Sequence, residues 1–327
     1  MKVVIKPLLS ETDGILGPLL GAYDFKSYFY YHQVEKPKRD RYFAGEIEAK
    51  RRAPGSKFWI AVSGDDVVGL ASLSFQEWDT EQLGVRAGKI GCLLPELEYS
   101  VSYDIKKKLV EAVLGECVES GMEFVAVRLN ANEISSIHVL EDLGFRTVDG
   151  ILTFAYDLRK GEPDGRVPDF DTRAVKDTDL DGVRRIATSS FRHGRFHADP
   201  RIAGETADGL YGAWLENSFR GVGADAVIVG VKEDRVLGFI TCKIDERSDP
   251  ELGLAVGIIV LVAVDEKARG GGVASALTAE ALRWFGRHGV DVVEVGTQQR
   301  NIPACRVYER AGFRLVTSSI SMHRWME

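Results

Sequence analysis

Leu261-Val-Ala-Val-Asp-Glu-Lys-Ala-Arg-Gly-Gly-Gly-Val-Ala-Ser-Ala-Leu277 is the stretch whose reading decides the fold. It continues an apolar, β-branched run that starts at Val256. Nine residues, Val256 to Val264, are too few to span a membrane and predict a buried strand. Glycines follow at 270, 271 and 272, and Val273 to Phe285 then reads as a helix stopped near Gly289. Successive glycines let backbone N–H groups converge without side-chain obstruction. The helix N-terminus behind them adds partial positive charge, so the turn is expected to seat a pyrophosphate. Without a ligand the same residues make only a tight turn. The strand ahead and the helix behind favour the anion site. The turn lacks the Gly-Lys-Ser/Thr of a Walker loop and the later third glycine of a dinucleotide fingerprint.

Outward from this turn, residues 169–327 alternate strands and helices. Asp171 to Ala174 predicts a short strand, Thr178 to Ala187 a capped helix, and Thr206 to Ser218 a second amphipathic helix. Ala226–Val231 and Val236–Lys243 predict a hairpin joined by Lys232-Glu-Asp-Arg235. Beyond the glycine turn, Asp291–Val295 reads as a strand, Ile302–Ala311 as a helix ended by Gly312, and Arg314–Trp325 as one or more strands. Hairpin strands followed by βαβα predict an α/β fold with a mixed sheet flanked by helices.

The first half has a similar order. Phe58–Val62 and Asp66–Ser74 predict a hairpin, Tyr103–Ser120 a helix, Phe124–Leu129 a strand and Ser135–Leu143 a helix. Val139-Leu-Glu-Asp-Leu-Gly-Phe-Arg146 shares Val, Glu, Gly, Phe and Arg with Val307-Tyr-Glu-Arg-Ala-Gly-Phe-Arg314; the offset, 307 minus 139, is 168 residues. That period is too long for a solenoid and implies two tandem copies of one fold. The charged, proline- and glycine-bearing stretch Arg159 to Pro168 is the natural linker. Domains are therefore expected at 1–160 and 169–327, joined by 161–168.

A second motif lies downstream of the glycine turn: Asn301-Ile-Pro-Ala-Cys-Arg-Val-Tyr-Glu-Arg-Ala-Gly-Phe313. Together with Arg269-Gly-Gly-Gly-Val-Ala274 it resembles the Gcn5-related N-acetyltransferases, whose R-x-x-G-x-(G/A) loop precedes an N-x-x-A-x-x-x-Y-x-x-x-G-F helix. The resemblance implies acetyl-CoA as cosubstrate and no metal. It implies that backbone groups at Val262, Ala263 and Val264 bind the pantetheine arm. It also implies that Arg269, Gly270, Gly271, Gly272, Val273 and Ala274 bind the pyrophosphate, with Asn301 and Tyr308 bordering the thioester. A phenol near the sulfur can protonate the leaving thiolate, which makes Tyr308 the general-acid candidate. Glu294 could accept the amine proton through water, or be a salt-bridged strand residue.

Ser190-Phe-Arg-His-Gly-Arg-Phe196, Tyr211-Gly-Ala-Trp-Leu-Glu-Asn217 and Gly296-Thr-Gln-Gln-Arg-Asn301 further resemble the TDP-fucosamine acetyltransferase family, which acetylates a nucleotide-linked amino sugar. The implied partner is a small-molecule amine, a nucleotide sugar by this resemblance. Arg192, Arg195 and His197 supply charge for a diphosphate, and Phe196 and Tyr211 faces for a base or sugar. His193 and His197 lack an evident third partner for a metal. Two alternatives remain: a tandem acetyltransferase for another small amine, and a non-catalytic acyl-CoA-binding protein. In the first half Leu140 stands where Tyr308 stands and Glu133 where Asn301 stands, and Leu93 to Lys108 has no glycine turn. That copy is expected to bind no acetyl-CoA and to act as a brace or as a module for another ligand.

Bulk composition fits this reading. The chain has 327 residues, 45% hydrophobic and 28% charged, with a net charge of −7, which argues against nucleic acid as the principal ligand. Cys92, Cys117, Cys242 and Cys305 form no close pair and read as buried thiols of a reducing compartment. With no membrane span and no cleavable leader, a cytoplasmic location is expected. The oligomeric state, a homodimer included, is left open.

Overall fold

A computed structural model describes residues 2–8, 16–95, 97–161, 169–190, 194–210 and 223–326. In chain order the strands are β1 (Val4–Pro7), β2 (Ser56–Ser63), β3 (Asp66–Phe75), β4 (Ala87–Leu94), β5 (Phe124–Asn130) and β6 (Arg146–Asp157). There follow β7 (Asp171–Ala174), β8 (Ala226–Lys232), β9 (Arg235–Asp245), β10 (Val256–Val264), β11 (Val292–Gln298) and β12 (Arg314–Trp325).

The chain packs as two units, one of Met1–Asp149 with Ser319–Glu327 and the other of Gly150–Ser318. The packing therefore does not divide at 161–168. The reason lies in which strands pair. In the first unit β1, β2, β3 and β4 are antiparallel neighbours, β4 and β5 run parallel, and Ser319–Trp325 of β12 pairs antiparallel with β5. In the second unit β7, β8, β9 and β10 are antiparallel neighbours, β10 and β11 run parallel, and Ile151–Asp157 of β6 pairs antiparallel with β11. The two units thus share one strand order, but each is finished by a strand from the other half of the chain. The cores record the exchange. Met322 of β12 is fully buried among Val125, Val127 and Phe145 in the first unit. Phe154 of β6 is buried among Val293, Val295 and Tyr308 in the second.

Local chemistry explains the elements around the glycine turn. The β8–β9 hairpin turns on Glu233 and Asp234, both with positive φ (49° and 61°), the pair that a two-residue turn of the mirror type requires. The helix Leu180–Ser190 buries Val183, Ile186 and Ala187 against Val229, Phe239 and Leu261. Its entry is pinned by Asp179, which accepts from the Lys176 N–H at 2.8 Å and from Arg173 at 2.6 and 3.0 Å. The helix Val273–Arg287 buries Leu277, Ala281, Leu282 and Phe285 on the opposite face of the sheet and ends at Gly289, φ 73°. Of the helix expected at Thr206–Ser218, 204–210 is helical and 211–222 lies outside the described residues.

Candidate active site

Two features open β10 toward the glycine turn. The first is a bulge. Ile259 is opposite Cys242, yet Val262 is opposite Ile240, so β10 carries one extra residue between them. The buried hydroxyl of Thr241 takes up the slack by accepting the Leu261 N–H at 2.9 Å. The second is a splay. The parallel pairing covers Val256–Ile259 against Val292–Val295, while the strands run on to Val264 and Gln298. Past the bulge Val262, Ala263 and Val264 pair with Ile240, Phe239 and Gly238 of β9. Their other edge faces the cleft between the diverging strands.

At the end of that edge lies the turn. Arg269, Gly270, Gly271 and Gly272 are exposed, and Gly270 and Gly272 both hold φ 80°. A Cβ at either glycine would meet nothing within 4 Å, so the space over the turn is open. The first bond inside the following helix runs from the Ala276 N–H to the Gly272 C=O at 3.0 Å. The N–H groups of Val273, Ala274 and Ser275 therefore have no intrahelical acceptor and face the turn. The Val273 side chain is buried in the core, so only its backbone can meet a ligand. The arrangement fits a pyrophosphate.

Sequence reasoning missed what holds the turn. Asp265, 3% exposed, follows β10 directly and caps the helical turn Glu266–Ala268 that leads into the glycines. Its carboxylate accepts from the Lys267 N–H at 2.9 Å, Arg185 Nη1 at 2.8 Å and Arg235 Nη2 at 3.1 Å. Burial pushes this carboxyl up, but the Lys267 N–H and the two guanidiniums outweigh it and hold it at about 2. The arginines come from the helix Leu180–Ser190 and the start of β9, far apart in sequence. The acid ahead of three glycines was the readable signal.

Tyr308 and Asn301 sit on the helix Ile302–Arg310. Tyr308 is buried between Phe154 and Phe313, at ring distances of 6.0 and 5.8 Å, in the same core as Val273 and Leu277. Burial, with a contribution from Cys305, pushes its phenol well above the usual value and keeps it protonated. Asn301 is the N-cap of this helix; its Oδ1 accepts the Ala304 N–H at 3.3 Å. Glu294 is buried on β11, opposite Ile258 of β10 and Ala155 of β6.

The candidate acceptor residues are placed differently from the expectation. Phe196, expected to offer its face to a base or sugar, lies in the helical turn Arg195–Ala198 and is buried. The Arg195 guanidinium lies over its ring at 4.4 Å. His197 Nε2 is 2.9 Å from Asp208 Oδ1. Arg192 and Tyr211 lie outside the described residues. Among the described residues no group of three or more His, Cys, Asp or Glu side chains is placed to hold a metal ion, and no helix is long and apolar enough to cross a membrane.

Comparison with known proteins agrees with this geometry. Residues 182–313 match the model of the acetyltransferase (GNAT) family. A dTDP-fucosamine acetyltransferase of Escherichia coli O6:H1 is 25% identical over 201 residues, covering 61% of this chain and 81% of that protein. The spore coat polysaccharide biosynthesis protein SpsD of Bacillus subtilis is 26% identical over 223 residues, 67% of this chain and 72% of its own. A tandem GNAT protein from the clavulanic acid biosynthesis pathway shares the fold at a TM-score of 0.60 and 13% identity, with 99% of this chain and 98% of that one covered. The splayed strands, the glycine turn and the family match within 182–313 lead to one conclusion: the chain carries an acetyltransferase domain of the GNAT family.

Proposed function

We propose that the second unit transfers the acetyl group of acetyl-CoA to the amine of a nucleotide-linked amino sugar. The observation that carries the cosubstrate is the open edge of Val262–Val264 leading to a turn of converging N–H groups at Gly270–Ala274. Acetyl-CoA, when bound, supplies a thioester as the electrophile. Arg269 and the turn hold its diphosphate, and the strand edge aligns the pantetheine amides. Tyr308 keeps its proton until the C–S bond breaks and then gives it to the leaving sulfur. The attacking amine forms the new C–N bond and loses one proton, for which Glu294 is the acceptor, through water. Asn301 fixes the helix that presents Tyr308.

The acceptor class rests on the relative named as a dTDP-fucosamine acetyltransferase, with the spore coat polysaccharide biosynthesis protein beside it; both matches span most of those proteins' own lengths. Arg192, Arg195, His197 and Tyr211 are proposed to meet the nucleotide diphosphate and sugar. Phe196, being buried, supports Arg195 and does not stack on the ligand. The test is coenzyme A release against a panel of TDP- and UDP-linked amino sugars. Turnover of at least one is expected. Turnover of other amines but of no nucleotide sugar would overturn the acceptor assignment and leave the acetyltransferase assignment standing.

A further inference from the structure

The first unit repeats the splay without the turn. β4 and β5 pair only over Ala87–Ile90 and Phe124–Val127, then run on to Leu94 and Asn130. Ser72 is opposite Cys92 but Leu73 opposite Ile90, so the extra residue is Gly91. A cavity of about 160 Å³ opens there. Its floor is Ile90–Leu93 and Val127–Asn130, and Tyr23, Phe25, Ser27, Phe43 and Glu133 wall it.

The end of the cleft that would take a diphosphate is built differently. On the 168-residue offset Val273 corresponds to position 105, yet the helix here begins six residues earlier (105 minus 99), at Tyr99. Lys106 stands where Ala274 stands. Its ammonium, fully buried, donates to Ser135 Oγ at 2.9 Å and Ser136 Oγ at 2.7 Å. Among the described glycines from 91 to 120 none has a positive φ, so no turn of converging N–H groups forms. Among the described residues of this unit no turn offers the cradle that a diphosphate needs.

What remains is a small polar cavity with aromatic walls. Tyr23 and Phe43 stack at 5.5 Å and 26°, and Phe25 meets Tyr23 edge-on at 6.0 Å. The chain between them holds Tyr28 at φ 60°, a conformation that costs about 1 kcal/mol or more for a bulky residue. Glu133, 3% exposed, accepts the Asn130 N–H at 2.9 Å and lies 3.5 Å from Ser136 Oγ, which joins it to the Lys106 ammonium. One buried carboxylate is thus balanced by one buried ammonium. Arg128 also lines the cavity, and Glu46 accepts from the Ser27 hydroxyl on its wall. Two cations thus face two carboxylates, and the cavity asks for no net charge from its occupant.

We propose that this cavity binds one uncharged, hydroxyl-bearing ring of monosaccharide size, with an apolar face against Tyr23, Phe25 and Phe43 and its polar groups toward Ser27, Asn130 and Glu133. The volume is about half the low end for drug-sized ligands, enough for a single ring. Aromatic faces take its C–H side, and fixed donors and acceptors take its hydroxyls. The ring can come free or linked to a nucleotide.

The test is calorimetry and saturation-transfer NMR on the full chain with D-glucose, N-acetyl-D-glucosamine, TDP-glucose and coenzyme A. At least one ring probe should bind saturably below about 10 mM. Ser27→Trp, which fills the cavity, should abolish that signal, and Glu133→Gln, which keeps the acceptor for Asn130, should weaken it about 10-fold. If Ser27→Trp fails to fold by circular dichroism, Glu133→Gln decides. Gly272→Val, in the other unit, should leave ring binding unchanged. Binding of free rings identifies a free ligand; binding of TDP-glucose alone, lost in the first-unit variants, identifies a nucleotide-linked one. The proposal is overturned if no ring probe saturates, if Glu133→Gln binds as the wild type does, or if Gly272→Val removes the signal. It is also overturned if coenzyme A binding survives in Gly272→Val and is lost on cavity filling.

Discussion

Arg185 Nη1 donates to Asp265 Oδ2 at 2.8 Å, tying the helix Leu180–Ser190 to the residue that precedes the glycine turn. Arg235 approaches the same oxygen at 3.1 Å from β9. A lone carboxylate beside a diphosphate seat would repel it. With two guanidiniums the group carries a net positive charge and also fixes the height of the turn.

Asp265→Asn should therefore raise the KM for acetyl-CoA about 10-fold, with a smaller change in kcat. Steady-state kinetics with acetyl-CoA as the varied substrate checks this. Because the arginines are half-exposed, the loss of stability should be only about 1–2 kcal/mol.

The same carboxyl sets a pH dependence. Its folded value of about 2 lies below an unfolded value of about 4, so its stabilisation is present above pH ~4 and is lost as pH falls from there toward 2. Urea midpoints across that window should fall less steeply in Asp265→Asn than in the wild type. Parallel curves would show that the carboxylate contributes nothing through this linkage.

Gly238 of β9 faces the C=O of Ala263, and a Cβ there would meet that oxygen at 2.7 Å. Backbone must move, so Gly238→Ala should cost about 1–3 kcal/mol. The displaced strand is the one proposed to hold pantetheine. Thermal unfolding and acetyl-CoA affinity should worsen together, and loss of stability alone would separate Ala263 from the binding edge.

Tyr308→Phe keeps the ring between Phe154 and Phe313 and removes only the hydroxyl. Its unfolding midpoint should stay near the wild-type value while kcat falls about 100-fold. An unchanged chemical step, measured in single turnover, would remove Tyr308 from the proton transfer.

A chain cut at 160 should yield no folded half. Residues 1–160 lack the strand that pairs with β5, and 161–327 lack the one that pairs with β11. Neither fragment should show cooperative unfolding, whereas co-expression of the two should restore it. Independent folding of either would contradict the pairing.

Much of this was legible in the sequence where the signal is local. The glycine turn, the strand before it and the helix after it stood out because glycine, β-branched and amphipathic patterns follow one another without interruption. The β8–β9 hairpin was legible for a similar reason. β4 was not, because Gly88 and Gly91 erase its alternation. A Cβ at Gly88 would meet Met122 Sδ at 2.6 Å, and one at Gly91 would meet Ser72 Oγ at 2.9 Å, so packing demands the residues that hide the strand. Phe196 read as a ligand contact because cations flank it, yet one turn of helix buries it. The Arg185–Asp265–Arg235 cluster joins residues 80 and 30 positions apart, which no local pattern reports. Pairing of β6 and β12 was hidden for the same reason: a strand's own residues do not name its neighbour.

The exchanged strands bear on how such a chain can change over generations. The first half has no run of glycines to match 270–272, and a copy expected to bind no acetyl-CoA would ordinarily be free to decay. Here it supplies β6, the strand that pairs with β11 in the other copy, and it receives the end of β12 against its own β5 in return. Selection on catalysis in one repeat is then also selection on the folding of its sister. A gene for this protein can lose the first repeat's chemistry, but it cannot lose the repeat.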